Sequence, residues 1–155
     1  MPITLEAVAF VRNARKDLAD DDWGEVVSDI VLAEGVDPDS LTGLEDFSHV
    51  EVLFFFDRVS PGEVECRSRH PRGNVAWPRV GIFAQRGKNR PNRLGSCIAR
   101  VVERSGKTLR VRGLDAIDGT PVVDLKPVMR EFLPRGDVRQ PSWSVELMRE
   151  YWTRD

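Results

Sequence analysis

At 155 residues, 41% of them hydrophobic and 31% charged, the chain has the size and composition of one ordinary folded unit, not of a disordered tract. Its longest apolar run, Val52 to Phe56, is far short of the ~20 residues a membrane helix needs, and Met1 to Glu6 show no charged leader followed by an apolar segment. A net charge of −2 and a pI near 5.8 exclude the footprint of a non-specific nucleic-acid binder.

In chain order, Leu5, Ala7, Ala9 and Val11 recur at period two and predict a first strand. The acidic turn Asp20-Asp21-Asp22-Trp23-Gly24 leads into a second over residues 25–32. Val50 to Phe56 is short, apolar and rich in β-branched and aromatic residues, which predicts a central strand buried on both faces. Further strands are expected over Val80 to Ala84 and Ser96 to Val102. A Ser105-Gly106-Lys107 turn then returns the chain through Leu109 and Val111 as a hairpin. Asp118-Gly119-Thr120-Pro121 supplies the turn before a last strand at Val122 to Leu125. Trp143, Leu147, Met148, Tyr151 and Trp152 are spaced to share one face of a C-terminal helix, with Ser142 as its N-cap.

Strands without intervening long helices argue against a doubly wound α/β fold. The expected fold class is mainly β, a barrel-like mixed or antiparallel sheet with a C-terminal helix. It forms a single domain over 1–155, with the barrel at about 3–127 and the tail and helix at 128–155. Cys66 and Cys97, with no export signal, are expected as free thiols of a cytoplasmic protein.

The small net charge conceals two opposed blocks. Residues 1–65 carry 16 acids and 4 bases, whereas residues 66–112 carry 13 bases and Glu103 alone. Such a basic block fits an anionic partner, and equally fits pairing against the acidic first third. No G-x-G-x-x-G follows a strand, Gly87-Lys88 lacks the spacing and the Ser or Thr of a phosphate loop, and Cys66 and His70 are too few for a closed zinc site; no metal is expected.

Two segments carry the candidate chemistry. Gly81-Ile82-Phe83-Ala84-Gln85-Arg86-Gly87-Lys88-Asn89-Arg90-Pro91-Asn92-Arg93-Leu94-Gly95 combines four cations with amides, a stiffening proline and glycines, a make-up suited to carboxylate, phosphate or base edges. Gly113-Leu114-Asp115-Ala116-Ile117-Asp118-Gly119-Thr120-Pro121-Val122-Val123-Asp124-Leu125-Lys126-Pro127 offers Asp115 and Asp118, carboxylates that either accept ribose or amino hydrogen bonds or cap a turn.

With Gly43-Leu44-Glu45-Asp46-Phe47-Ser48-His49-Val50, these segments resemble the TsaA-like family, also called the tRNA methyltransferase O-like family, over roughly residues 5–127. The resemblance implies a β-barrel that binds S-adenosylmethionine, a homodimer with the cofactor near the subunit interface, and N6-methylation of threonylcarbamoyladenosine in tRNA. Carried over by position, it implies cofactor contacts from Trp23, Phe56, Asp57, Arg86, Ser96, Leu114, Asp115, Ile117 and Asp118. For tRNA or another anionic substrate it implies Lys88, Arg90, Asn92 and Arg93. It names no general base. Many members read A-T-R-S-P and N-P-I-G where this chain has Ala84-Gln85-Arg86-Gly87-Lys88 and Asn92-Arg93-Leu94-Gly95. A non-catalytic S-adenosylmethionine sensor and a small-molecule methyltransferase both stay open, because all three would share the cofactor residues.

Overall fold

In a computed structural model, which describes residues 1–152, the barrel is built from six strands. These are β1 (Ala9–Arg12), β2 (Val27–Leu32), β3 (His49–Phe55), β6 (Leu94–Ser105), β7 (Thr108–Arg112) and β8 (Pro121–Pro127). They pair in the order β1-β2-β7-β6-β3-β8, β8 closes back onto β1, and every pairing is antiparallel. Closure leaves no free sheet edge, which explains how short strands such as β1 persist. β4 (Ser68–Arg69) and β5 (Val80–Gly81) form a separate two-stranded ladder in the long β3–β6 connection.

The period-two pattern maps onto the barrel wall from Ala9 onward; Leu5 and Ala7, expected in the first strand, precede β1, and Leu5 is exposed. Val50, Val52 and Phe54 of β3 point inward and are buried, while Glu51, Leu53 and Phe55 are half-buried on the outside. The expectation of a strand buried on both faces is therefore corrected: a barrel strand has one interior face, and Glu51 belongs on the other. Ala9, Val11, Ile30, Leu32, Ala99, Leu109, Val111 and Val122 complete the interior. Across β3 and β6, Phe54 faces Gly95. A Cβ there would stand 2.6 Å from the Phe54 ring and 2.9 Å from that of Phe56, so glycine makes room for two rings that meet edge to face at 5.3 Å.

Two other expectations are corrected. Of Val80 to Ala84 only two residues are strand; Ile82–Ala84 turn as a 3-10 helix so that the buried Ile82 and Gln85 face inward. The C-terminal helix α1 (Ser142–Leu147) is six residues long, and Pro141, not Ser142, is its N-cap. Proline's fixed φ suits a helix start, and the Pro141 carbonyl takes both the Ser144 amide and its hydroxyl. Tyr151 and Trp152 therefore lie beyond the helix and form no helical face with Trp143.

The charge blocks meet within the chain. Arg110 of β7 makes a forked pair with Asp29 of β2 and reaches Glu103, Arg104 pairs with Glu45, and Arg72 reaches Asp20 and Asp21. The Arg104 fork holds the Glu45 carboxyl down at about 2. No helix among the described residues is long and apolar enough to cross a membrane.

Candidate functional site

The β7–β8 loop leaves the barrel at Gly113, whose φ of 80° turns the chain sharply and whose amide donates to the Val26 carbonyl. Leu114, Ala116 and Ile117 then bury into the barrel end, leaving Asp115 held between apolar neighbours. Its Oδ2 accepts from the Tyr151 hydroxyl, and its Oδ1 is buried with no hydrogen-bond partner. Burial raises the Asp115 pKa against the opposing pull of Tyr151, Cys97 and Arg86. The buried Cys97 thiol, which points to the Gly113 carbonyl, is pushed up by its own burial and by the Asp115 charge, as is the Tyr151 hydroxyl. Both cysteines are free.

Arg86 comes from the basic loop and donates to the Ser96 carbonyl at 2.7 Å, with the Ser96 hydroxyl at 3.4 Å. Arg86 lies close enough to Asp115 for its charge to oppose the rise in the Asp115 pKa, so the basic loop and the β7–β8 loop approach one another here. Asp118 sits differently. Its Oδ1 accepts the Asn13 amide at 3.1 Å while its own amide donates to Arg15, so it clamps the turn to the chain leaving β1. Trp23 is 4% exposed, lies under the Arg15 guanidinium at 4.0 Å and donates to Asp20, which makes it a packing element of the acidic turn. Phe56 is seated against Gly95 and Arg93, and Asp57 is exposed beyond it.

The basic loop is largely fastened to itself. Arg90 donates to the Gln85 carbonyl at 2.7 Å and the Gly87 carbonyl at 3.4 Å. Arg93 donates to the Val59 carbonyl and lies over the Phe55 ring at 4.7 Å. Asn92 and Arg93 both have positive φ, 63° and 49°, a conformation that side chains resist and that these contacts hold in place. Lys88 and Asn92 remain the more available of the four expected substrate residues. The departures at Gln85 and Gly87 have a common partner. Gln85 accepts from Arg69 and donates to two carbonyls, and the Arg69 guanidinium lies where a Cβ on residue 87 would stand, 2.5 Å from its Nη2.

Sequence reasoning missed Tyr151 and Cys97 as neighbours of Asp115. The sequence marks Cys97 only as a free thiol, and the aromatic spacing at the C-terminus reads as a helix face.

A closed antiparallel barrel whose loops gather a buried carboxylate, a guanidinium and a hydroxyl at one end defines a small barrel protein with a polar, loop-built site. Residues 21–132 match the family model described as the tRNA-methyltransferase O N-terminal domain, and the chain belongs to that family. It is 35% identical to a Homo sapiens tRNA (adenine(37)-N6)-methyltransferase over 114 residues, 74% of this chain and 25% of the relative. It is 37% identical over 101 residues, 65% of this chain and 52% of the other, to a Pyrococcus abyssi protein described as a "Probable S-adenosyl-L-methionine-binding protein". Among solved structures, TrmO from Pseudomonas aeruginosa superposes with a TM-score of 0.73 at 26% identity, over 90% of this chain and 61% of that one. The chain thus spans a quarter to about half of the length of these curated relatives.

Proposed function

We propose that this chain is an S-adenosylmethionine-dependent methyltransferase acting on tRNA, at N6 of adenosine 37 in its threonylcarbamoyl form. The observation that carries the cofactor assignment is the unpartnered, buried Oδ1 of Asp115 beside Arg86. A buried acceptor left unpaired costs about 1–3 kcal/mol, and a ligand amino or cationic group would remove that cost. The donor set fits the cofactor's two kinds of charge: a carboxylate for its positive or N–H groups, and a guanidinium for its carboxylate. When bound, S-adenosylmethionine supplies a methyl group already activated by a sulfonium.

The residues of this chain then bind and orient. Asp115 and Arg86 fix the two ends of the charge pattern, and Leu114 and Ile117 exclude water around it. Ser96 steers the Arg86 fork. Alignment alone can supply up to ~7–11 kcal/mol of a transfer barrier, so positioning without a dedicated base suffices for an acceptor that is itself acidic. Lys88 and Asn92 are the loop groups available to phosphates, while Arg90 and Arg93 shape the loop that presents them. We assign the working form to the cytoplasm and to a homodimer. The dimer is supported by Ile98 and Val102, which stand 46% and 47% exposed on the outer face of β6, an apolar pair suited to burial against a second copy.

Titration calorimetry with S-adenosylmethionine, followed by transfer of labelled methyl to tRNA carrying threonylcarbamoyladenosine, tests the reading. Binding with transfer is the expected result. Binding without transfer to any tRNA would leave a cofactor sensor, and no binding at millimolar ligand would remove the cofactor assignment. A sedimentation profile showing a concentration-independent monomer would remove the dimer.

A further inference from the structure

The last described residues dock back onto the barrel in an unusual way. Glu150, Tyr151 and Trp152 offer three successive carbonyls to the amides of Asp22, Trp23 and Gly24, at 3.1, 2.9 and 2.7 Å. The docking requires a glycine, because a Cβ on Gly24 would overlap the Trp152 carbonyl oxygen. Gly24 has no positive φ, so alanine there conflicts with the docked segment and not with its own backbone. The same short segment delivers the Tyr151 hydroxyl to Asp115.

Little else holds it. α1 buries no residue, Trp152 is 42% exposed, and residues 129–142, which lead to it, are exposed throughout. A cleft of about 260 Å³ lies between this segment and the Arg72–Trp77 loop, bridged by a hydrogen bond from the Trp77 indole to Glu146. A segment tied by a few hydrogen bonds, with Trp143, Leu147, Met148 and Tyr151 only half-buried and outside the core cluster, opens at lower cost than the barrel itself. Chemically, a phenol O–H donated to a buried carboxylate does what a ligand N–H or cationic group would do at the same oxygens.

We propose that Glu150–Trp152 is an intramolecular strap, whose Tyr151 hydroxyl stands on Asp115 in place of a ligand's positive or N–H group, so that the cofactor gains Asp115 when the strap lifts. This rests on the S-adenosylmethionine reading above. The unpartnered Oδ1 is the consequence: one phenol satisfies one oxygen, where a ligand group with several N–H donors would satisfy both. A closed strap reduces apparent affinity by the fraction of molecules in which it is open.

The test compares the full chain with Tyr151→Phe, which removes the competing donor, and Gly24→Ala, which undocks the strap without touching Asp115. Titration calorimetry with S-adenosylmethionine is paired with amide hydrogen exchange at Asp22, Trp23 and Gly24. If about one molecule in ten is open at rest, each variant binds about tenfold more tightly. Saturating S-adenosylmethionine then speeds exchange at those three amides in the unmodified protein. A folded variant that binds equally or more weakly overturns the strap while leaving the cofactor reading intact, as does protection that persists or grows on saturation. If the unmodified protein and both variants fail to bind, the cofactor reading falls and the strap's role falls with it. The exchange measurement needs no variant, so it decides the matter even where a substitution does not fold.

Discussion

Asp115 shows how burial and chemistry are linked at one residue. Leu114 and Ile117 force the carboxylate into an apolar setting, and burial raises its pKa from the ordinary 3.8 although Tyr151 and Arg86 oppose the shift. The sign of the pH dependence follows. Below pH 3.8 the carboxyl is protonated in both the folded and the unfolded chain, and its contribution to stability is fully present. As pH climbs, the unfolded chain releases the proton first, so stability falls until the folded value is passed. Asp115→Asn, which stays neutral, should abolish that decline. In thermal melts from pH 3 to pH 7, the variant's advantage over the unmodified protein is expected to grow with pH, while its affinity for S-adenosylmethionine drops. A difference between the two that is independent of pH would show that the carboxyl is not held in this way.

At the scale of the element, β3, β6 and the basic loop are tied together by one small residue. Gly95 faces Phe54 across the ladder, sits under Phe56, and ends the loop that Arg93 and Asn92 hold in a left-handed turn. Gly95→Ala drives a methyl into both rings, and overpacking of this kind costs about 1–3 kcal/mol. Urea unfolding should show a lower midpoint with an unchanged slope, because the barrel still exposes the same surface when it opens. Arg86 and Ser96 flank this point, so cofactor affinity should weaken as well. A midpoint equal to that of the unmodified protein would mean that the rings have room to move aside.

Across the whole molecule, the basic block is largely consumed internally. Arg72, Arg104 and Arg110 pair with acids of the first third or of β6, and Arg79, Arg86, Arg90 and Arg93 donate to backbone carbonyls. Thirteen bases in sequence therefore do not translate into thirteen phosphate contacts. Affinity for tRNA should fall with salt along a shallow logarithmic slope of about −0.7 per engaged phosphate. Lys88→Ala should flatten the slope by about one such step without changing the affinity for S-adenosylmethionine. Arg90→Ala or Arg93→Ala should disturb the loop itself and weaken both ligands together. A slope unchanged by Lys88→Ala would take that residue out of the RNA surface.

The sequence alone determined the parts governed by local period and local turn chemistry. Alternation at two residues marked β1 and β7, an apolar β-branched and aromatic run marked β3, and the turns Ser105-Gly106-Lys107 and Asp118-Gly119-Thr120-Pro121 marked the β6–β7 hairpin and the start of β8, because strands and tight turns each leave a signature within a few residues. Ordered motifs at 43–50, 81–95 and 113–127 marked the family and two of the segments that meet at the candidate site. The tertiary structure alone decided what spans the chain. Which cations are spent on Asp29, Glu45 or a carbonyl depends on strands up to 81 residues apart, and no window of sequence contains such a pair. The same holds for Tyr151: its aromatic spacing read as a helix face, yet the chain turns after Leu147 and carries the hydroxyl across 36 residues of separation to Asp115. Period reports which side of an element is apolar; it carries no information about which distant loop that element meets.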